Sequence, residues 1–256
     1  MYISSTNSTN TLLKELLAKG DRRISGDGQS AGLFYIRAGY QTAGRGQTGN
    51  GWESEEGKNL LCSILLPPRA NLFELNIAVS VAVYRAVTAY GIPGTGLTIK
   101  WPNDIYWQDR KLAGILIENA IIGSEIKYSI AGIGLNVNQT EWHSDAPNPV
   151  SMKQITGGND LDPDALMERL LEETGKVLEM PEDEVWDCYK AHLYRKEGFW
   201  PFVEREVSVT PTMNANADTN AFMARIKEIL PTGEILLQDQ DGKERKYHFK
   251  QVRYVV

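Results

Sequence analysis

One stretch organises the sequence: Tyr40-Gln41-Thr42-Ala43-Gly44-Arg45-Gly46-Gln47-Thr48-Gly49-Asn50-Gly51-Trp52. It lies between two apolar runs, Leu33–Ala38 and Leu60–Leu66, whose composition predicts two buried strands. The stretch is therefore predicted to be a long loop. A loop of this length inside a compact domain is usually functional or disordered.

The loop carries groups that suit an anionic ligand. Its glycines lack a Cβ, so backbone N–H groups can approach an anion closely. Arg45 is the only cation between Gly39 and Gly57, and its forked guanidinium suits a carboxylate or a phosphate. Trp52 offers a flat apolar face to a ring. On these residues alone, a ligand-binding loop and a flexible surface loop with an incidental arginine are equally open interpretations.

Part of the loop imitates a different kind of site. Gly44, Gly46 and Gly49 have the spacing of the dinucleotide-binding fingerprint, which requires a helix to begin at the last glycine. Here Asn50-Gly51 and an acidic segment ending at Gly57 follow, so no helix can begin. We therefore exclude a nicotinamide or flavin fold.

Composition narrows the class of protein. The 256 residues suffice for one large domain, or for a large domain followed by a small one. With a net charge of −6, the surface is expected to repel nucleic acid. The two cysteines predict a reducing compartment, and the three histidines lack metal-ligand spacing. We expect neither a signal peptide nor an apolar run long enough for a bilayer. The prediction is a cytoplasmic protein without nucleic-acid or membrane partners.

Two further blocks carry candidate site residues. In Thr98–Trp107, Pro102 fixes a turn at Asn103-Asp104, and a hairpin leads into Lys111–Glu118. Simple alternation places Lys111 and Ala113 on one face, with Leu112 and Gly114 on the other. Considered alone, Lys111 is better explained as a solvated hairpin lysine than as a site residue.

The strand Tyr128–Asn138 follows. Gly132 and Gly134 leave one face open to a ligand or to a crossing backbone, and Asn136 presents an amide along the same line. Near the N-terminus, Ser8 or Thr9 begins a helix that ends before Gly20, and Asn10 follows them. Their polar side chains either cap the helix or point into a pocket.

The remaining pattern gives the fold class. Helices are predicted at Leu72–Tyr90, Met152–Thr156, Pro163–Met180 and Glu182–Leu193. Together with the hairpin-linked strands, they predict an α+β fold: a mixed, largely antiparallel sheet flanked by helices on one side. Short strands at Val207–Val209, Ala221–Ile229, Ile235–Gln238 and Tyr247–Phe249 predict a small β-barrel beginning near Pro201. The expected domains are residues 1–200 and 201–256.

Taken in series, these blocks resemble the biotin protein ligases, or biotin–[acetyl-CoA carboxylase] ligases. The resemblance rests on Ser8-Thr9-Asn10, Gln41 with Ala43–Gly46 and Trp52, Lys100–Asp104, Lys111–Glu118 and Gly132–Asn136. It implies a biotin/lipoate ligase-like catalytic domain and an SH3-like C-terminal barrel. It also implies a biotin–[biotin carboxyl-carrier protein] ligase, which uses ATP with Mg²⁺ to make biotinyl-5'-AMP and passes biotin to a carrier lysine.

The resemblance also implies roles for individual residues. The expected catalytic residues are Arg45, Lys111 and Asp104. The expected biotin-binding residues are Ser8, Thr9, Asn10, Gln41, Gly44, Arg45, Gly46, Gln47, Lys111, Gly114 and Gly132. The expected ATP or adenylate ligands are Arg45, Trp52, Asn103, Asp104, Lys111 and Asn136, and no protein metal ligand is expected.

Two departures from the family pattern matter. Family members often carry arginines where this chain has the uncharged Gln47, Thr48 and Asn50, which leaves Arg45 as the loop's sole cation. Some relatives begin with a DNA-binding domain, whereas here the ligand-binding motif begins at Ser8, so a repressor role is not expected. The expected partner is a biotin carboxyl carrier protein or a carboxylase subunit, and a homodimer is allowed.

Two alternatives stay open. A lipoate ligase shares the fold and the adenylation chemistry but uses another acid. A non-catalytic biotin-binding adaptor would bind the vitamin without ATP-dependent transfer.

Overall fold

The computed structural model describes residues 1–21, 24, 32–47, 50–69, 71–123, 125–144, 146–205 and 221–256. The predicted strand Val207–Val209 and the loop residues Thr48 and Gly49 lie outside these ranges. In chain order the larger unit comprises β1 (Tyr2–Thr6), α1 (Thr9–Ala18), β2 (Tyr35–Gln41), β3 (Leu60–Leu66), α2 (Leu72–Ala89), β4 (Leu97–Lys100), β5 (Asp104–Trp107), β6 (Arg110–Ile122), β7 (Glu125–Leu135), α3 (Met152–Thr156), α4 (Pro163–Glu179) and α5 (Glu182–Ala191).

Seven strands form one sheet in the order β1-β2-β3-β7-β6-β5-β4. The β1–β2 pair is parallel. The other neighbouring pairs are antiparallel. The prediction of a mixed, largely antiparallel sheet is therefore confirmed. Because β3, β7 and β6 lie at its centre, their residues form the floor on which any site must be built.

Helices cover both faces of this sheet. On one face, Cys62 and Ile64 of β3 belong to the large core that contains α2, α4 and α5. On the opposite face, Leu13 of α1 packs against Ile36 and Ile130. The prediction of helices on one side only was wrong. The central strands are apolar on both faces, so each face requires a cover.

The α2 helix is the core helix of the larger unit. Its length and apolar composition match those of a membrane span, so the expectation that no apolar run reaches that length was wrong for Leu72–Ala89. Ten of its residues, including Leu75, Val79 and Val83, are buried within the protein. Packing against α4, α5 and the sheet accounts for the same composition.

A β-bulge changes the facing of residues in β6. Ile105 pairs with Ala113 but Tyr106 pairs with Lys111, so Leu112 is the extra residue. Leu112 and Ala113 are both buried, whereas Lys111 Nζ lies 3.3 Å from where a Cβ on Gly114 would be. The alternation that separated Lys111 from Gly114 was therefore wrong. A bulge adds one residue to one strand and reverses the facing beyond it.

The C-terminal residues form a second, antiparallel sheet. Its strands are β8 (Trp200–Glu204), β9 (Ala221–Ile229), β10 (Ile235–Asp239), β11 (Glu244–Tyr247) and β12 (Val252–Tyr254), in the order β11-β10-β9-β8-β12. This arrangement is consistent with an SH3-like unit. In the described residues it is an open sheet rather than the expected closed barrel, because its edge strands β11 and β12 are not paired with each other.

One predicted C-terminal strand was misplaced. The segment Tyr247–Phe249 was expected to be extended, but the strand ends at Tyr247. Gln251 N donates to His248 O at 3.1 Å, and Lys250 has a φ of 78°. These features form a tight turn that brings Phe249 out of the sheet.

The turn at Trp101–Asn103 links the seven-stranded sheet to α5 and to the second sheet. Trp101 Nε1 donates to Gly233 O at 3.1 Å, in the turn between β9 and β10. Tyr189 of α5 donates its hydroxyl hydrogen to Pro102 O at 2.8 Å. The residues before Asp104 are thus held by a helix on one side and by the second sheet on the other.

We predict that Tyr189→Phe lowers the free energy of unfolding by about 1–3 kcal/mol, because it leaves the buried Pro102 carbonyl without its donor. The matched control is Tyr90→Phe, whose hydroxyl donates to Asp162 O at the surface, and which should cost less than about 0.5 kcal/mol. Urea unfolding of both variants measures the difference. Equal losses would contradict the bracing role of Tyr189.

Candidate active site

A single large cleft brings the predicted site residues together. Its volume is about 380 Å³, and it lies between the start of α1, the loop after β2, the floor strands and the second sheet. Thirteen predicted residues line it: Ser8, Thr9, Asn10, Gln41, Arg45, Gly46, Gln47, Trp52, Asn103, Asp104, Lys111, Gly114 and Gly132.

Two of the predicted site residues, Asn136 and Gly44, do not line the cleft. Asn136 is buried, and its Nδ2 donates to Val150 O at 3.1 Å and approaches Lys111 O at 3.4 Å. It therefore holds the backbone where Lys111 enters its strand. At Gly44, an added Cβ would lie 2.5 Å from Trp52 O, so this glycine permits the loop to fold against Trp52.

The loop at residues 44–52 is folded back on itself in its described part. Gly46 N donates to Asn50 O at 2.7 Å, and Trp52 N donates to Gly44 O at 2.9 Å. Gln47 Nε2 then donates to Asn103 Oδ1 at 3.0 Å. These bonds hold the described parts of the loop against the cleft.

One end of the cleft is a polar network at the start of α1. Gln41 Oε1 accepts from Thr9 N at 2.8 Å and from Thr9 Oγ1 at 3.1 Å. Ser63 Oγ lies 2.7 Å from Thr9 Oγ1 and 2.5 Å from Asn10 Oδ1. Ser8 occupies the N-cap position without a capping hydrogen bond. The polar residues at this helix start therefore build the cleft, and Ser8 does not act as a side-chain cap.

Protein side chains occupy the space above the floor glycines. A Cβ on Gly132 would lie 2.5 Å from Asn10 Oδ1, and one on Gly134 would lie 2.4 Å from Trp52 Cε2. Both glycines line the cleft, and their missing side chains leave room there. They admit Asn10 and the Trp52 ring, which then present their outer surfaces to the cleft.

The other end of the cleft is cationic. Lys111 Nζ forms an ion pair with Asp104 Oδ2 at 2.8 Å, and it lies 5.8 Å from the Trp52 ring centroid. Among the described residues that line the cleft, Asp104 is the only acid, whereas six are cations: Arg45, Lys100, Lys111, Arg205, Lys250 and Arg253. An acidic protein thus concentrates positive charge at one site, as binding of an anion requires.

Lys100 is enclosed by tyrosines. Its Nζ donates to Tyr106 Oη at 2.9 Å and lies 4.4 Å from the Tyr106 ring centroid and 5.2 Å from that of Tyr254. Burial disfavours the ammonium form, and neighbouring cations add to the effect. Together they lower the pKa of Lys100 to about 8, although Asp104 opposes the shift.

Arg45 lies beside an acid outside the cleft lining. Its Nη2 is 3.1 Å from Glu118 Oε2 and 3.2 Å from Thr11 Oγ1. Glu118 also accepts from Asn10 Nδ2 at 2.7 Å and from Lys14 Nζ at 2.6 Å. Burial alone would raise the pKa of Glu118, but the hydrogen bonds from Lys14 and Asn10 outweigh it, and the pKa is lowered.

Sequence reasoning missed several residues of this site. Lys100 was part of a recognised block but had no assigned role, and Ser63 was hidden inside an apolar strand. The C-terminal unit was expected to hold no catalytic constellation, yet six of its residues line the cleft: Arg205, Phe249, Lys250, Val252, Arg253 and Tyr254. No local signal marks them, because the contact joins distant segments of the chain.

The donor set does not fit a resident metal ion. The described residues contain no group of three or more His, Cys, Asp or Glu side chains placed to hold one. Asp104 is already paired with Lys111.

We predict that Gly134→Ala lowers the free energy of unfolding by about 1–3 kcal/mol, because the added methyl overlaps the Trp52 ring. It should also shift the indole N–H resonance of Trp52 in a two-dimensional NMR spectrum. Gly94→Ala is the matched control, since its Cβ would meet only Tyr84 Oη at 3.7 Å. An unshifted Trp52 resonance in Gly134→Ala would show that the ring does not rest on this glycine.

Comparison with known proteins places this cleft in a family. Residues 2–136 match the biotin/lipoate A/B protein ligase family. The bifunctional ligase/repressor BirA of Bacillus spizizenii is 28% identical over 221 residues, which cover 81% of this chain and 62% of that protein. The biotin–[acetyl-CoA-carboxylase] ligase of Paracoccus denitrificans is 31% identical over 147 residues, covering 55% of this chain and 60% of that protein.

The fold has a solved counterpart of the same extent. The biotin protein ligase of Aquifex aeolicus, in complex with biotin and ATP, superposes with a TM-score of 0.73 at 23% identity, covering 100% of this chain and 98% of that one. This chain spans less than two thirds of the length of the two sequence relatives. The family match covers more than half of the chain and includes both the α1 network and the Lys111–Asp104 pair. The chain therefore belongs to the biotin/lipoate A/B protein ligase family.

Proposed function

We propose that this protein is an ATP-dependent ligase that activates biotin as biotinyl-5'-AMP and transfers it to a lysine of a biotin carboxyl carrier domain. One observation carries the proposal: a single cleft has neutral hydrogen-bonding groups at one end and a cationic group around Lys111 and Asp104 at the other. The family match and the names of the relatives support the same activity.

The neutral end suits the head of biotin. A ureido group offers two N–H donors and one carbonyl acceptor, and Thr9, Asn10 and Gln41 provide both kinds of partner. Trp52 provides an apolar surface nearby, resting on Gly134. The acid chain of biotin then extends towards the cations.

In the first step, an oxygen of the biotin carboxylate attacks the α-phosphorus of ATP. A new O–P bond joins the carboxylate to the α-phosphorus. The bond between the α-phosphorus and the oxygen bridging to the β-phosphate breaks, and pyrophosphate leaves with that electron pair. The carboxylate, with a pKa near ~4, is already ionised, so no general base is needed. The obstacle is repulsion between two anions, and the positive charges of Lys111, Lys100 and Arg45 offset it in a partly desolvated cleft.

In the second step, the amine of the acceptor lysine attacks the acyl carbon. The amide bond forms, and the mixed anhydride breaks to release AMP. An amine with a pKa near ~10.4 is mostly protonated at neutral pH. We assign Asp104 as the acceptor of that proton, since it is the only acid among the described residues that line the cleft. The folded loop over the cleft keeps water from the anhydride.

The identity of the acceptor protein is also a proposal. The acceptor is a biotin carboxyl carrier protein or a carboxylase subunit. The domain boundary near residue 200 and the cytoplasmic location stay predictions.

We predict that Lys111→Ala and Arg45→Ala each reduce biotin-dependent ATP–pyrophosphate exchange by at least about 100-fold, the scale of removing one preorganised charge. Lys153→Ala is the control, because this lysine pairs with Asp160 outside the cleft and should leave exchange within about twofold. Exchange near the wild-type rate in Lys111→Ala would refute its role.

We also predict that kcat/KM for ATP falls as the pH rises through about 8, because Lys100 loses its proton there and with it one charge facing the triphosphate. In Lys100→Arg the guanidinium stays charged, so the decline between pH 7.5 and pH 9.5 should be absent or much reduced. The exchange assay measures both profiles without an acceptor lysine. Identical pH profiles of the wild type and Lys100→Arg would show that the charge of Lys100 does not contribute to ATP binding.

The transfer reaction tests the whole proposal. The wild-type protein is incubated with ATP, a purified carrier domain and either biotin or lipoate, and the mass of the carrier is measured. Addition of biotin to one lysine is the expected result. Lipoyl addition would indicate the sister activity, and biotin binding without exchange or transfer would indicate an adaptor.

A further inference from the structure

Glu118 is a half-buried acid that the two chemical steps do not use. Its side chain is only 20% exposed, and it lies outside the cleft lining. Nevertheless its carboxylate accepts hydrogen bonds from three donors on two separate segments: Asn10 and Lys14 of α1, and Arg45 of the loop. Two of these, Asn10 and Arg45, line the cleft.

The contact with Asn10 fixes the direction of an amide. An ionised carboxylate accepts hydrogen bonds and cannot donate them, so the NH₂ group of Asn10 must face Glu118. Asn10 Oδ1 is then directed to the other side, where Ser63 Oγ donates to it at 2.5 Å. There it lies above Gly132, which forms part of the cleft floor.

The consequence is a defined polarity at the cleft wall. The second lone pair of Asn10 Oδ1 is an acceptor, and the NH₂ group is occupied by Glu118 at 2.7 Å, with Leu116 O at 3.4 Å. A ligand that contacts Asn10 at this point must therefore bring an N–H or O–H donor. With a neutral side chain at position 118, only the longer contact with Leu116 O would still favour this orientation of the amide.

We propose that Glu118 is a positioning residue for substrate recognition, which acts through Asn10 by holding the amide so that its oxygen faces an N–H donor of the substrate. The inference rests on the proposed function for the identity of that substrate, the ureido head of biotin. Glu118 lies outside the cleft, yet it determines whether Asn10 presents a donor or an acceptor at the cleft wall. The contact with Arg45 joins the loop to the same carboxylate.

The test measures biotin binding directly, by calorimetry without ATP. Glu118→Gln should raise the Kd for biotin by about 10-fold or more, the scale of losing one hydrogen bond to a charged group. The KM for ATP in the exchange assay should rise by less than the Kd for biotin, because only Arg45 links Glu118 to the charges proposed for ATP. Lys14→Met is the matched control, because it removes a different donor to Glu118 that does not line the cleft. It should change the biotin Kd by less than about threefold.

A second pair of variants tests the direction of the bond. Asn10→Asp alone places two carboxylates together and should weaken biotin binding. Combined with Glu118→Gln, it reverses donor and acceptor while an oxygen still faces the cleft, so the double variant should bind biotin more tightly than Asn10→Asp alone. This comparison also stands if Glu118→Gln alone fails to fold.

The outcomes separate the inference from the function. Wild-type protein that does not bind biotin at all would overturn the proposed function. Wild-type protein that binds biotin, with an unchanged Kd in Glu118→Gln, would overturn only the role of Glu118. Equal increases in the Kd for biotin and the KM for ATP, or a double variant no better than Asn10→Asp, would overturn it as well.

Discussion

The site depends on how closely side chains approach the central strands. At Gly132 and Gly134, any other residue would place a Cβ within 2.5 Å of Asn10 or Trp52. Real Cβ contacts are not this short, so only glycine lets an amide and an indole ring lie directly on the sheet. The glycines therefore line the cleft together with Asn10 and Trp52, whose side chains lie directly against them.

Charge is arranged around this floor in two separate groups. Near the cationic end, Asp104 pairs with Lys111, and Lys100 is held among tyrosines at the border with the second sheet. Near the start of α1, the Glu118 carboxylate accepts hydrogen bonds from Arg45, Lys14 and Asn10. Each group has one acid and more than one donor, so the cleft keeps a surplus of positive charge. This is the balance that an anion-binding site needs without accumulating unpaired buried charge.

The second sheet completes the cleft. It is attached through Trp101 and Gly233, and it places Phe249, Tyr254 and three cations along one wall. Tyr254 also lies above Lys100, so the environment of a lysine in the first sheet depends on the second. The turn that leads into Asp104 is thus held by α5 and by the second sheet, so the geometry of this acid depends on how the C-terminal unit packs.

The sequence determined the class of fold and the composition of the site. Apolar periodicity predicted α2, α4, α5 and the central strands, because local burial patterns repeat along the chain at a fixed spacing. The resemblance to the biotin protein ligases predicted thirteen of the cleft residues, since the family pattern assigns residue types to positions. Tertiary structure decided what depends on contacts between distant segments. The bulge at Leu112 turned Lys111 towards Gly114, Ser63 met Asn10 across the sheet, and the C-terminal turn reached the cleft. None of these has a local signal, because each is set by the packing of one element against another.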